Sequence, residues 1–233
     1  MTDLRVVSLV PSATETLLAW GVRPVAVTRF CEQPGYPTVG GTKDPHIDEI
    51  VGLQPDLVVM CDQENRLPDA EALTAAGIRV HSISITSVDH VEAQMAALAT
   101  AVGRADAPPC GLPPSPHVNT LLRAWIPIWK RPWMTINGDT YGSSLLARLG
   151  VENIAHDSAD RYPELTLEEA ATEHPDVVLA PSEPYPFAQR HVQELAIVAP
   201  ALLIDGQDLF WWGVRTKAAA ERLAAVLRSF RPR

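Results

Sequence analysis

The sequence predicts an α/β protein made of two similar lobes, each a parallel sheet covered by helices. Three observations carry this. Short, apolar, β-branched runs alternate with helical stretches from the first residues onward, and such alternation implies a parallel sheet with helices on its faces. A Pro-Asp pair leading into a β-branched run occurs twice, at Pro55–Met60 and Pro175–Ala180, each time after a helical stretch. The chain has 233 residues, room for two lobes of about 100 residues each.

The first strand is read from Arg5 to Val10, almost wholly apolar and suited to burial on both faces. Pro11 is expected to stop it, since proline has no N–H for the ladder. Ser12 is then the expected N-cap of a helix, with Glu15 three residues on as its capping-box partner and Gly21 as its end. Strands follow at Pro24–Thr28, Pro55–Met60 and Ile78–Ile85, separated by helices at Ile47–Leu53 and Pro68–Ala76. Residues 1–86 thus form one α/β lobe. Apolar residues at helical spacing predict a helix over Val88–Val102. Five prolines between Pro108 and Pro116 then mark a linker or surface loop, and Val118–Ala124 is read as a short helix. Residues 87–123 form the connection, and 124–233 the second lobe.

In that lobe Trp125–Trp129 and Trp133–Ile136 read as strands, with the three tryptophans packing there because Pro127 and Pro132 exclude a helix. Helices are expected at Ser144–Leu149, Thr166–Glu173, Ala188–Leu195 and Thr216–Ser229. Thr166 and Glu169 form the second expected capping box. Strands are expected at Pro175–Ala180 and Ala201–Asp205, and Ser182–Phe187 reads as a rigid aromatic loop.

The formal charge of −9 argues against nucleic acid or an anionic membrane as partner. No apolar run reaches the roughly 20 residues of a membrane span. The odd count of three cysteines suggests reduced thiols. With Met1 as the true start there is no signal-peptide pattern, so a cytoplasmic location is expected. If Met1 is not the start, the protein is extracytoplasmic.

No phosphate loop, dinucleotide fingerprint, nucleophile elbow or zinc-protease motif occurs. Cys31 and Cys61 both end strands, with Glu32, Asp62 and Glu64 near, and are weak candidates for metal ligands. The aromatics Phe30, Tyr141, Tyr162, Tyr185, Phe187, Trp211 and Trp212 lie just beyond strands or before helices. Together they suggest a flat or bulky ligand held by stacking, with Arg29, Lys43 and Asp62 as polar anchors.

Several stretches carry a family resemblance: Ser8–Thr16, Gly40–Pro45, Leu53–Val59, Trp133–Thr140 and Ser182–Phe187. In order along the chain, they resemble the class III substrate-binding proteins of ABC importers, the vitamin B12- and iron-chelate-binding family with a helical backbone. The resemblance implies two Rossmann-like lobes joined by a connecting helix, with a metal chelate (cobalamin, haem or a ferric siderophore) in an interlobe cleft. It implies no covalent cofactor and no catalysis. Phe30, Thr42 and Tyr162 fall where that family's B12 binders contact the corrin ring, Thr42 replacing an aromatic. Asp48 and Glu168 fall where acidic residues dock an ABC permease. Two alternatives stay open: a cytoplasmic enzyme using Cys31, Glu32, Cys61, Asp62 and Glu64 on a small substrate, and a ligand-free interaction module.

Overall fold

The computed structural model describes residues 4–113 and 120–230. The chain divides into two compact units, the first comprising residues 1–84, 90–111 and 212–214, the second 85–89, 112–211 and 215–233.

The first unit runs β1 (Val6–Ser8), α1 (Pro11–Ala19), β2 (Ala26–Val27), α2 (Ile47–Gly52), β3 (Leu57–Cys61), α3 (Leu67–Ala75), β4 (Val80–Ile83) and α4 (Val91–Ala101). Its sheet has the order β2-β1-β3-β4 and every pair is parallel, with Val7 opposite both Ala26 and Val58. β3 is buried along its whole length, as an apolar run with helices on both faces requires. Val7, Leu9, Ile50, Val58, Met60 and Leu73 form the core between sheet and helices. Each such fully buried aliphatic side chain stabilises the fold by about 1.5–3 kcal/mol.

The start of α1 corrects the sequence reading. Pro11 opens the helix, Val10 is the N-cap, and Ser12 is a buried helical residue without a capping bond. The reason is local: proline at the first helical position has no N–H to leave unpaired and its φ is already helical. The strand ends earlier, at Ser8.

The second unit runs β5 (Leu122–Trp125), β6 (Pro127–Trp129), β7 (Met134–Thr135), α5 (Tyr141–Arg148), β8 (Val151–Asn153), α6 (Leu167–Thr172), β9 (Val177–Pro181), α7 (Gln189–Leu195), β10 (Ala201–Ile204), α8 (Gly206–Phe210) and α9 (Thr216–Ser229). The sheet order is β10-β9-β5-β8, again all parallel, and β6 and β7 form an antiparallel hairpin. Two expectations change here. The described part of the stretch read as a short helix, 120–124, is extended and enters β5, which lies inside the sheet between β8 and β9. The strand β8 was not expected at all. Val118, Asn119, Pro114 and Pro116 lie outside the described residues.

The capping box of α6 is present as expected: Glu169 N–H donates to Thr166 Oγ1 at 3.2 Å, and Thr166 N–H to Glu169 Oε2 at 2.9 Å. Trp125 is fully buried and lies 5.7 Å from Trp133.

Reading β5, β8, β9 and β10 against β1, β2, β3 and β4 gives the same spatial order in both units. The Pro-Asp echo has a shared structural cause. Gln54 and His174 both take left-handed backbone, at φ 48° and 50°, after α2 and α6. The Asp that follows in each case clasps an arginine at the start of its unit's first strand, Arg5 just before β1 and Arg123 second in β5. Arg5 N–H donates to Asp56 Oδ2 at 2.7 Å while Asp56 N–H donates to Arg5 O at 2.8 Å. Arg123 N–H donates to Asp176 Oδ2 at 2.7 Å, and Asp176 N–H to Arg123 O at 2.8 Å. Both arginine side chains then donate to a carbonyl at the end of the preceding helix, Leu53 O and Glu173 O.

Candidate functional site

Ligands of open parallel sheets collect beyond the carboxyl ends of the strands, so each unit is built up from that edge. In the first unit three loops leave it. After β2 the chain makes a 3-10 turn, Arg29–Cys31. The turn is pinned at both ends. Arg29 N–H donates to Gly40 O at 3.0 Å, and the Cys31 thiol is buried with the hydroxyls of Thr14 and Thr28 each 3.2 Å from its sulfur. The residue between them, Phe30, is turned outward and is 50% exposed. The Arg29 guanidinium sits over its ring, 4.8 Å from the centroid, and donates through Nη2 to both carboxylate oxygens of Asp44, at 2.9 and 3.0 Å.

The second loop, 40–45, and the third, 61–65, are tied together. Lys43 Nζ donates to Gln63 O at 3.0 Å. Asn65, buried, donates through Nδ2 to Thr42 O at 2.8 Å and to Leu9 O at 3.4 Å, and accepts Cys61 N–H at 2.8 Å. Asp62 is exposed on the same loop. The predicted group Arg29, Phe30, Thr42, Lys43 and Asp62 is therefore gathered on these three loops. Asn65 and Asp44, which hold them, were missed. Their signal was only a polar residue in each turn.

The thiols take no part in this face. Burial raises the Cys31 pKa, and burial followed by the nearby Glu64 charge pushes that of Cys61 up to about 12. A nucleophile or metal ligand needs the opposite shift. Among the described residues no group of three or more His, Cys, Asp or Glu is arranged to hold a metal ion. Cys31 and Cys61 are core thiols.

In the second unit the predicted aromatics separate. Tyr162 lies on the segment that follows β8 and is 44% exposed. Its neighbours are stitched to the strand beside them: Asn137 N–H donates to Arg161 O and Thr135 N–H to Pro163 O, both at 2.9 Å. Tyr141 is instead a core residue of α5. Its hydroxyl donates to Thr216 Oγ1 at 3.3 Å, and burial pushes its pKa to about 12. Phe187 is also buried. It stacks parallel to Trp133 at 6.1 Å and lies 4.7 Å from Tyr185, whose other side meets Trp129 and His191. Tyr185 and Phe187 thus close the core around Trp125. Trp211 is half-buried, donating from Nε1 to Glu183 Oε1 at 2.6 Å, with Arg215 over its ring. Trp212 is buried and groups with the first unit. Position beyond a strand end marks all of these alike; burial separates them.

Asp48 and Glu168 are exposed and occupy the same place in equivalent helices, each the second residue of its helix, α2 and α6. No helix among the described residues is long and apolar enough to cross a membrane.

This architecture is an α/β fold of two parallel-sheet units, each with its loops gathered at the strand ends. Comparison with known proteins agrees. Residues 6–108 match the periplasmic binding protein family. The vitamin B12-binding protein of Yersinia pestis (strain Pestoides F) is 27% identical over 191 residues, covering 75% of this chain and 68% of that protein. In fold, the periplasmic vitamin B12-binding protein of Vibrio cholerae matches with a TM-score of 0.78 at 19% identity, covering 97% of this chain and 96% of its own. The periplasmic haem-binding protein of Vibrio cholerae matches with a TM-score of 0.76 at 21% identity, covering 97% and 99%. The chain is thus similar to the periplasmic binding protein family over residues 6–108 and shares its fold with the solved B12- and haem-binding proteins over nearly its whole length.

Proposed function

We propose that the protein binds a metal chelate, namely a cobalamin, haem or a related ferric chelate. It does so by stacking the flat ligand on aromatic rings at the strand ends, without turning it over. The observation that carries this is Phe30: a large apolar ring, half exposed, on a turn pinned at both ends. Holding half a phenyl ring in water forgoes burial worth about 1 kcal/mol or more, and a flat ligand recovers it. Tyr162, similarly exposed on the second unit, supports the reading, as do relatives whose names specify vitamin B12 or haem. Asp48 and Glu168 suit docking to paired basic residues of an ABC permease, since matched positions on equivalent helices present one carboxylate per unit. A cytoplasmic location is part of the proposal, set against fold neighbours described as periplasmic; fractionation of the native host with detection by antibody decides it.

The test is titration with cyanocobalamin, haemin and a ferric siderophore, followed by absorbance and calorimetry. A saturable complex of micromolar affinity or tighter is expected with at least one of them. Phe30→Ala and Tyr162→Ala should each weaken it about tenfold, as loss of a stacked ring does. No saturable complex with any of the three refutes the proposal.

A further inference from the structure

We infer that Asp44 is a positioning residue for the stacking ring: it holds the Arg29 guanidinium over one face of Phe30 and so presents the other face, in one orientation, to a flat ligand. The inference rests on the binding reading above, but its geometry belongs wholly to the first unit. Phe30 is half exposed, and an exposed ring on a surface turn ordinarily samples several rotamers. Here a cation lies 4.8 Å from its centroid and is itself fixed by two hydrogen bonds to one carboxylate.

The loop is shaped around that pair. A Cβ on Gly41 would lie 2.4 Å from Asp44 Oδ1 and 2.7 Å from Arg29 Nη2, so only glycine leaves them room. Gly40, at φ +85°, turns its carbonyl to the Arg29 N–H. The pair is not there for stability: its side chains are 48% and 61% exposed, and exposed ion pairs contribute little. What it alters is the ring. A guanidinium behind the ring blocks one face and draws electron density from the other. The free face then suits an electron-rich macrocycle, and Asp44 acts through Arg29 without touching the ligand.

The experiment uses the full chain labelled with para-fluorophenylalanine, which enters at four positions; Phe30→Leu assigns the Phe30 resonance. Asp44→Asn and, independently, Arg29→Gln are expected to shift and broaden that resonance alone, while Asp44→Glu restores it. Cyanocobalamin and haemin affinities are then measured in a double-mutant cycle. Asp44→Asn should weaken binding about three- to tenfold with Phe30 present, the scale of a cation–π contact plus its ion pair, and less than twofold in the Phe30→Ala background. An unchanged Phe30 resonance in both Asp44→Asn and Arg29→Gln overturns the inference, as does an equal loss of affinity with and without the ring. If neither of these chelates nor the ferric siderophore binds the parent protein, the proposed function fails, and the resonance alone decides whether Asp44 holds the ring.

Discussion

Asn65 joins three chain segments with a single buried amide, so its removal has a predictable cost. In Asn65→Ala, Cys61 N–H loses its acceptor and Thr42 O and Leu9 O lose their donor. A buried polar group left unpaired costs about 1–3 kcal/mol. The Leu9 contact is long at 3.4 Å and counts least, so the expected loss is about 2–4 kcal/mol in all. For a chain of this size that is roughly 5–15 °C in Tm. Urea unfolding followed by circular dichroism should show a lower midpoint in the first unit's transition with its slope unchanged. Asn65→Asp sharpens the test. Its carboxylate still accepts from Cys61 but faces two carbonyls with no hydrogen to offer, so near neutral pH it should be at least as damaging as alanine. Burial and the two carbonyls favour the protonated acid, whose folded pKa is then raised. Stability is therefore regained as pH falls through that pKa, because the acid can donate to one carbonyl. A loss below about 0.5 kcal/mol in Asn65→Ala, the scale of an ordinary surface substitution, would show that solvent satisfies these groups and that the three loops are not braced by this amide.

Alkaline pH should destabilise the fold. Burial raises Cys61 from 9.0 to about 12, Cys110 from 9.0 to about 11 and Tyr141 from 10.0 to about 12. The folded state therefore holds these protons when the unfolded chain has lost them. Stability is full below pH 9 and falls as pH rises toward 11–12, by up to about 1.4 kcal/mol per pH unit per group; a Cys61→Ala variant should show a shallower fall in pH-dependent urea midpoints. Cys31 is raised by burial as well, so all three thiols should react slowly with a disulfide reagent at pH 8 and promptly in denaturant, and fast labelling of the native protein would contradict the burial. Asp56→Ala and Asp176→Ala should cost the same, about 1 kcal/mol each, since each removes an equivalent acceptor from Arg5 or Arg123; costs differing by more than the mean would break the repeat. Gly213→Ala should lower Tm sharply, because φ is +98° and a Cβ would sit 2.2 Å from the buried Thr16 hydroxyl, a clash worth about 2 kcal/mol or more; a Tm within a degree of the parent would refute it.

Most of the first unit was legible because its strands are short and almost uninterrupted in their apolar character. Val6–Ser8 and Val80–Ile83 fall within the predicted ranges, and Leu57–Cys61 runs one residue past its own. What failed were elements whose burial comes from elsewhere in the chain. Leu122-Arg-Ala-Trp125 has no clear period, and it is a strand because β8 and β9 pair on either side of it. Val151-Glu-Asn153 alternates buried, exposed, buried, but three residues are too few for a period to stand out. The site divides in the same way. Arg29, Phe30, Thr42, Lys43 and Asp62 follow strands and reach one edge together. Tyr141, Phe187 and Trp212 satisfy the same positional rule and are buried, because an aromatic residue past a strand end serves equally well to close a core.

The internal repeat explains why the units resemble each other in scaffold and differ in surface. Both place a helix, a left-handed residue, a proline and a clasping aspartate before the strand pairing with the first strand of the unit. That arrangement fixes the helix ends, and with them Asp48 and Glu168 at matching positions. A partner that reads both units through one repeated contact needs such matching. A ligand does not, and the loops beyond the strands have diverged. In the first unit a 3-10 turn and a glycine pair set one ring behind a cation. In the second, the segment after β8 runs to Tyr162 along the hairpin, while Tyr185 and Phe187 have been drawn into the core. If the proposed function holds, the repeated elements would serve recognition of a partner protein through Asp48 and Glu168, and the unrepeated loops discrimination among ligands.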